Sequence, residues 1–146
     1  TLDATTRRIT DGEKTILITD TVGFIKKLPH HLVESFKSTL AEARESDILL
    51  LVADGSHAAM NEHIRIANTI LDEIGASQER IIVINKIDLL TKDEIAHLKR
   101  NFPDAILVSA KSGLGIEILK DNIFDKLEKK GNHKEMISHL EEASSE

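Results

Sequence analysis

Apolar residues along this chain fall into two alternating rhythms. Runs of strand length sit at Thr15 to Thr19, Ile48 to Ala53, Ile81 to Ile84 and Ala105 to Val108, and each is followed by turn or helix-opening residues. Near-continuous apolar runs mark strands buried on both faces, as in a parallel sheet; strands covered on one side only would alternate with polar residues. Between these runs the apolar positions recur at threes and fours. Val33, Phe36, Leu40 and Ala43 form one stripe over Leu32 to Arg44. Ile64, Ala67, Ile70, Leu71 and Ile74 form another over Ala58 to Ile74, and Gly75 supplies its stop. A third helix is predicted to start at Thr91, because Thr91 and Glu94 have capping-box spacing, and a fourth runs from Ile116 to Lys129 before Gly131.

Strands alternating with helices imply right-handed crossovers and an α/β, doubly wound, mostly parallel sheet. The start of the chain breaks that rule. Arg7 to Thr10, then Asp11-Gly12, then Lys14 to Thr19 reads as a hairpin, which adds one antiparallel edge strand. Residues 1–130 are expected to form a single unit, with 131–146 as a polar tail in which Met136, Ile137 and Leu140 allow a short helix at most.

Composition narrows the classes of function. With 146 residues, 40% of them hydrophobic, the chain can bury the core of one domain. No apolar run approaches the ~20 residues that span a bilayer, so no membrane span is expected and a cytoplasmic location is. The absence of cysteine excludes disulfides, thiolate catalysis and cysteine-based zinc sites. A formal net charge of -6 argues against DNA, or RNA gripped by bulk electrostatics, so any RNA contact is local. Four Phe without Trp or Tyr offer no stacking platform for single strands.

In an open α/β sheet the ligand sits beyond the carboxyl ends of the strands, which directs attention to the residues after each apolar run. After Thr15 to Thr19 comes Asp20-Thr21-Val22-Gly23, a carboxylate that can hold Mg²⁺ and a glycine whose amide can reach a terminal phosphate. After Ile81 to Ile84 comes Asn85-Lys86-Ile87-Asp88. There an aspartate can accept both the N1 and N2 protons of guanine, which adenine does not offer, while the Lys86 stem covers the base and Asn85 ties neighbouring loops together. Ser109-Ala110-Lys111 follows Ala105 to Val108, placing the Ala110 amide to donate to guanine O6, and Ser112-Gly113-Leu114-Gly115-Ile116 allows a tight turn into the last helix. Each motif alone is short. Their order, each after a predicted strand with a helical crossover between, carries the weight.

With these motifs the chain resembles the guanine-nucleotide domain of the HflX family, a P-loop-type GTPase family that acts on the ribosome. The stretches TLDATTRRI, DTVGFIKKLPHHLVESFKSTLAEARESD and VADGSH look like that family in particular. The resemblance covers about Thr1 to Gly131. It implies that Thr1 is the switch-one threonine ligating Mg²⁺ together with Asp20, that Asp20 to Phe24 form switch two, and that Asn85, Lys86, Asp88, Ser109, Ala110 and Lys111 hold the nucleotide. It also implies GTP hydrolysis to GDP and phosphate with the large ribosomal subunit as partner. Phe24 stands where many GTPases carry a water-orienting glutamine, so hydrolysis is expected to depend on that partner.

One element of the family pattern is not in this sequence: no G-x-x-x-x-G-K-[ST] occurs. The chain therefore reads as a fragment lacking the first strand and phosphate loop, in which nucleotide binding is weak or absent. Leaving out that strand would separate the strand ending at Thr19 from the strand starting at Ile48 by about 9.6 Å, twice the usual spacing. Two other readings stay open, a non-catalytic ribosome-interaction module and half of a split GTPase completed by another chain. Among the remaining polar residues, His30 and His31 point apart on a helix, and His57 and His63 lack metal-motif partners and read as surface or capping groups. Arg7-Arg8 and Lys26-Lys27 are basic pairs beside the switches, and Asp54, before Gly55, reads as a turn or cap residue.

Overall fold

The computed structural model describes residues 5–20 and 44–130. Its first ladder is the hairpin: β1 (Thr5–Asp11) pairs antiparallel with β2 (Lys14–Asp20), from Thr5 opposite Asp20 to Asp11 opposite Lys14. Gly12 and Glu13 form the loop, one residue later than the Asp11-Gly12 turn expected. The reason is chiral. A two-residue hairpin needs positive φ at its first central residue, and Gly12 supplies +62° there while Glu13 keeps an ordinary φ.

A three-stranded parallel sheet in the order β3-β4-β5 makes the second ladder. It comprises β3 (Ile48–Asp54), β4 (Glu79–Asn85) and β5 (Ile106–Leu107), the last shorter than the Ala105 to Val108 run predicted. The helices match their stripes: α1 (Met60–Glu73), α2 (Lys92–Asn101) and α3 (Ile116–Lys129). Thr91 and Glu94 close the expected capping box reciprocally, with Glu94 N donating to Thr91 Oγ1 at 3.2 Å and Thr91 N to Glu94 Oε1 at 3.0 Å.

Sheet residues alternate between two cores, which is the signature of strands covered on both faces. Leu51, Ala53 and Ile84 pack with Met60, Ile64, Ala67 and Leu71 of α1 and Leu98 of α2. On the opposite face Ile81, Val83 and Val108 pack with Ile123, Phe124 and Leu127 of α3, and this core also takes Ile16 of the hairpin. Lys14 pairs with Glu128 and so pins the hairpin to α3. Burying each of these large aliphatic side chains contributes about 1.5–3 kcal/mol. The fold is thus the doubly wound α/β arrangement expected, with the antiparallel hairpin as a ladder apart from the parallel sheet, as the expected gap between Thr19 and Ile48 implies. Among the described residues β3 has β4 as its ladder partner, and Val52 on it is 54% exposed. Of the helix predicted over Leu32 to Arg44, Arg44 alone is described; it is helical, as is Glu45. The tail 131–146 lies outside the described residues.

Candidate functional site

The carboxyl ends of β4 and β5 bring the last two motifs together. Parallel pairing sets Ile84 beside Leu107, and Val108 N donates to Ile84 O at 2.8 Å, so the segments that leave the two strands start as neighbours. Asn85 Oδ1 accepts from Ala110 N at 2.9 Å. Ser109 Oγ donates to Asp88 Oδ1 at 2.8 Å and accepts from Ser112 N at 3.2 Å. Ser109 is fully buried, and both roles of its hydroxyl are filled by protein. The two loops are therefore clasped at two points, side chain to backbone and side chain to side chain.

Local backbone geometry explains why these residue types stand here. Lys86 adopts φ 67° and ψ 30°, and it is the one non-glycine with positive φ among the described residues. That conformation costs a side chain about 1–2 kcal/mol, so the surroundings must enforce it. Ile87 N donates to Val108 O at 3.2 Å and Leu89 N to Lys86 O at 3.0 Å, which closes the chain into a single 3₁₀ turn (Ile87–Leu89) carrying Asp88 outward. On the β5 side the Ser109 to Gly115 loop closes on itself, Ser109 N donating to Leu114 O and Gly113 N to Ser109 O, both at 2.8 Å. Gly115 has φ 79°, and a Cβ there would lie 2.4 Å from Leu107 O, so only glycine lets α3 start this close to β5.

A third segment joins them from β3. Asp54 stands opposite Asn85 in the β3–β4 register, and Gly55 N donates to Asn85 O at 2.9 Å. A Cβ at Gly55 would meet Ile84 Cγ2 at 2.8 Å. Asp54 Oδ1 accepts from Ser56 N at 2.9 Å and Ser56 Oγ at 2.6 Å, the turn role foreseen for it, while Oδ2 lies 3.1 Å from Lys86 Nζ. The Ser56 hydroxyl, more than any other group, holds the Asp54 carboxyl down at about 2, with the Ser56 amide and Lys86 adding to it. Sequence reasoning gave Asp54 its turn but missed its partner Lys86, because a cross-strand register is not written in local sequence.

The other sequence-derived positions are less connected. Asp20 ends β2, at the strand end where such a carboxylate was expected. Thr1, Thr21, Val22, Gly23 and Phe24 lie outside the described residues, as do Lys26, Lys27, His30 and His31. Lys111 is exposed on the β5 loop. His57 acts as a cap, its Nδ1 accepting from Ala59 N at 2.9 Å, and its ring lies 4.6 Å from that of His63. Among the described residues no group of three or more His, Cys, Asp or Glu could hold a metal. A concavity of about 460 Å³ opens elsewhere, between the start of α1 and α2, lined by Gly55, His57, Met60, Leu90, His97 and Phe102. None of Asn85, Lys86, Asp88 and Ser109 lines it, so we place the site where the polar groups converge and not in that hollow. No helix among the described residues is long and apolar enough to cross a membrane.

Chemically, this clasp presents a carboxylate, a backbone amide and a lysine stem on rigid strand ends. A doubly wound parallel sheet ending in such loops is compatible with a P-loop NTPase-like fold, and the comparisons with known proteins place the chain among GTPase domains of that class. The sequence profile described as "50S ribosome-binding GTPase" matches residues 1–86, and that described as "C-terminal region of MMR_HSR1 domain" matches residues 63–128. The chain belongs to this GTPase family, with the HflX proteins. GTPase HflX of Treponema denticola is 44% identical over 131 residues, which cover 86% of this chain and 34% of the relative. For Escherichia coli HflX the values are 42% over 132 residues, 87% and 31%; for that of Methanocaldococcus jannaschii, 37% over 133 residues, 87% and 33%. The chain thus spans about a third of the length of these relatives. Among solved structures, a point variant of SsGBP superposes with TM-score 0.73 at 28% identity, covering 85% of this chain and 47% of that one. Era in complex with MgGDPNP and a stretch of 16S ribosomal RNA superposes with TM-score 0.62 at 21% identity, over 86% and 44%, a likeness of fold.

Proposed function

We propose that the ends of β4 and β5 are the base-recognising half of a guanine-nucleotide pocket, serving hydrolysis of GTP to GDP and phosphate in work on the large ribosomal subunit. The observation that carries this reading is the double clasp, Asn85 to Ala110 and Asp88 to Ser109. With Oδ1 of Asp88 fixed by Ser109, Oδ2 and the remaining lone pair of Oδ1 are aimed as a unit and can accept the N1 and N2 protons of guanine. Adenine in the same place would leave that carboxylate facing an acceptor. Ala110 N, already engaged by Asn85, is oriented toward the loop and can share its proton with guanine O6. The apolar stem of Lys86 covers one face of the ring. The family description, which names the 50S ribosome, and the relatives' name as GTPases support the wider role, and a cytoplasmic location agrees with it.

Magnesium belongs to the same reading. Thr1 and Asp20 offer hydroxyl and carboxylate oxygens, the hard donors Mg²⁺ takes, and Asp20 closes β2 at its carboxyl end. The ion, when bound, neutralises phosphate charge; the chain's own part is to place those two oxygens. With so few contacts to offset the cost of association, affinity of this chain for GDP is expected on the order of millimolar. In ¹H–¹⁵N spectra of the labelled chain, millimolar GDP should shift the Ala110, Ser112 and Ile87 amides and ADP should not. Equal shifts with ADP, or none with GDP, would remove the reading.

A further inference from the structure

Three strand ends meet at the site, and the guanine reading uses two of them. Asp54, at the end of β3, has its two carboxylate oxygens committed in different directions. Oδ1 is bound twice by Ser56, through its amide and its hydroxyl, and Oδ2 is left to face Lys86 Nζ at 3.1 Å. A carboxylate braced on one oxygen cannot rotate to follow its partner, so the lysine must come to it. Gly55 enforces the brace, since its passage 2.9 Å from Asn85 O, with no room for a Cβ, fixes where the Asp54-Gly55-Ser56 turn sits against β4.

Lys86 is correspondingly drawn away from the strand path. Its positive φ breaks the alternation of β4, and its ammonium goes to the β3 side, while Asp88 goes to the β5 side to meet Ser109. Consecutive polar groups of one short turn are thus parted and pinned by opposite neighbours. Both pins are made by protein groups alone. The Lys86 side chain remains half exposed at 52%, so its stem stays available on the solvent side while its end is tethered.

We propose that Asp54, braced by Ser56, is the positioning residue for Lys86: it holds the lysine stem extended across the pocket so that a base slides under a preset lid. The inference rests on the guanine reading of the same site, and deepens it by adding β3 to the binding machinery. Preorganisation of this kind lowers the ordering cost of binding without a new contact to the ligand. The carboxylate stays charged throughout the neutral range, held low chiefly by the Ser56 hydroxyl, so the tether does not switch with physiological pH.

Competitive acetylation of the full chain with limiting acetic anhydride, read lysine by lysine by mass spectrometry, tests the tether. An amine engaged by a carboxylate is a poorer nucleophile, so Asp54→Asn should raise labelling of Lys86 by up to about fivefold, the range of a part-exposed ion pair, with Lys92 and Lys111 unchanged. Ser56→Ala should raise it less, in the same direction. Unchanged labelling of Lys86 in Asp54→Asn overturns the proposal. The positioning role is read from GDP shift titrations of Asp54→Asn, Lys86→Met and the double variant. Asp54→Asn should weaken GDP about twofold to fivefold alone and have no further effect beside Lys86→Met. An equal loss in both backgrounds would make Asp54 a merely structural turn residue and overturn the proposal. Failure of the wild-type chain to bind GDP would instead sink the guanine reading, with the acetylation result still deciding the tether.

Discussion

Replacing Ser109 with alanine removes one oxygen atom from a fully buried position and breaks two bonds, the one to Asp88 that joins the two base-side loops and the one from Ser112 N within the β5 loop. The bond to Asp88, 2.8 Å long, is made to a carboxylate. Hydrogen bonds to charged groups contribute about 1.5–3 kcal/mol, and because Asp88 itself faces solvent, water recovers part, so the lower end applies, about 1.5 kcal/mol. The longer bond from Ser112 N, 3.2 Å, adds about 0.5 kcal/mol. The sum, about 2 kcal/mol, is a large share of the stability of a small domain. In urea melts followed by circular dichroism, an m value of about 1.5 kcal/mol/M converts this to a midpoint lowered by about 1.3 M. The cycle with Asp88→Ala sharpens the test, since Ser109→Ala should cost only about 0.5 kcal/mol once the carboxylate is gone. A midpoint shift below about 0.3 M, or the same cost in both backgrounds, would refute the claim that the Ser109 hydroxyl ties Asp88 into the fold.

Other consequences can be measured on the same material. Gly115→Ala should cost at least about 2 kcal/mol in the same melts, from the left-handed backbone and the contact with Leu107 O together, whereas Gly75→Ala, with φ 77° but open space around it, should cost about 1 kcal/mol; equal costs would remove the packing argument. The Asp54 carboxyl is lowered from 3.8 to about 2 in the folded chain, so it contributes stability that is complete above about pH 4 and is lost as pH falls toward 2. The stability difference between wild type and Asp54→Asn should therefore be constant at neutral pH and shrink across that window; a difference that shrinks between pH 5 and 7 would contradict the assigned cause.

Much of this architecture could be read before any coordinates. The Ile116–Lys129 helix was bounded by periodicity and the glycines around it, and the capping box at Thr91 needed only residues three apart, so local chemistry decided both. The N-K-x-D and S-A-K runs were legible because order along the chain maps onto order of strand ends in a parallel sheet. Two features were not. The hairpin turn falls at Gly12-Glu13 because its first central residue needs positive φ, which Gly12 supplies without the cost Asp11 would meet there. The link from Asp54 to Lys86 depends on a register across β3 and β4 and on a left-handed lysine, neither of which has a signature within a few residues.

The central claim, that Asp88 reads a guanine base, is tested most directly by exchanging donor for acceptor. Asp88→Asn keeps the shape and offers an amide proton where guanine N2 brings its own, so it should disfavour guanine and favour xanthine, which carries an oxygen there. Shift titrations of wild type and Asp88→Asn with GDP and xanthosine diphosphate should show the preference reverse, by at least about tenfold across the cycle, the scale of one mispaired polar contact. Identical affinities of both proteins for both nucleotides would contradict the account, because the pocket would then hold the ligand without reading its base at Asp88.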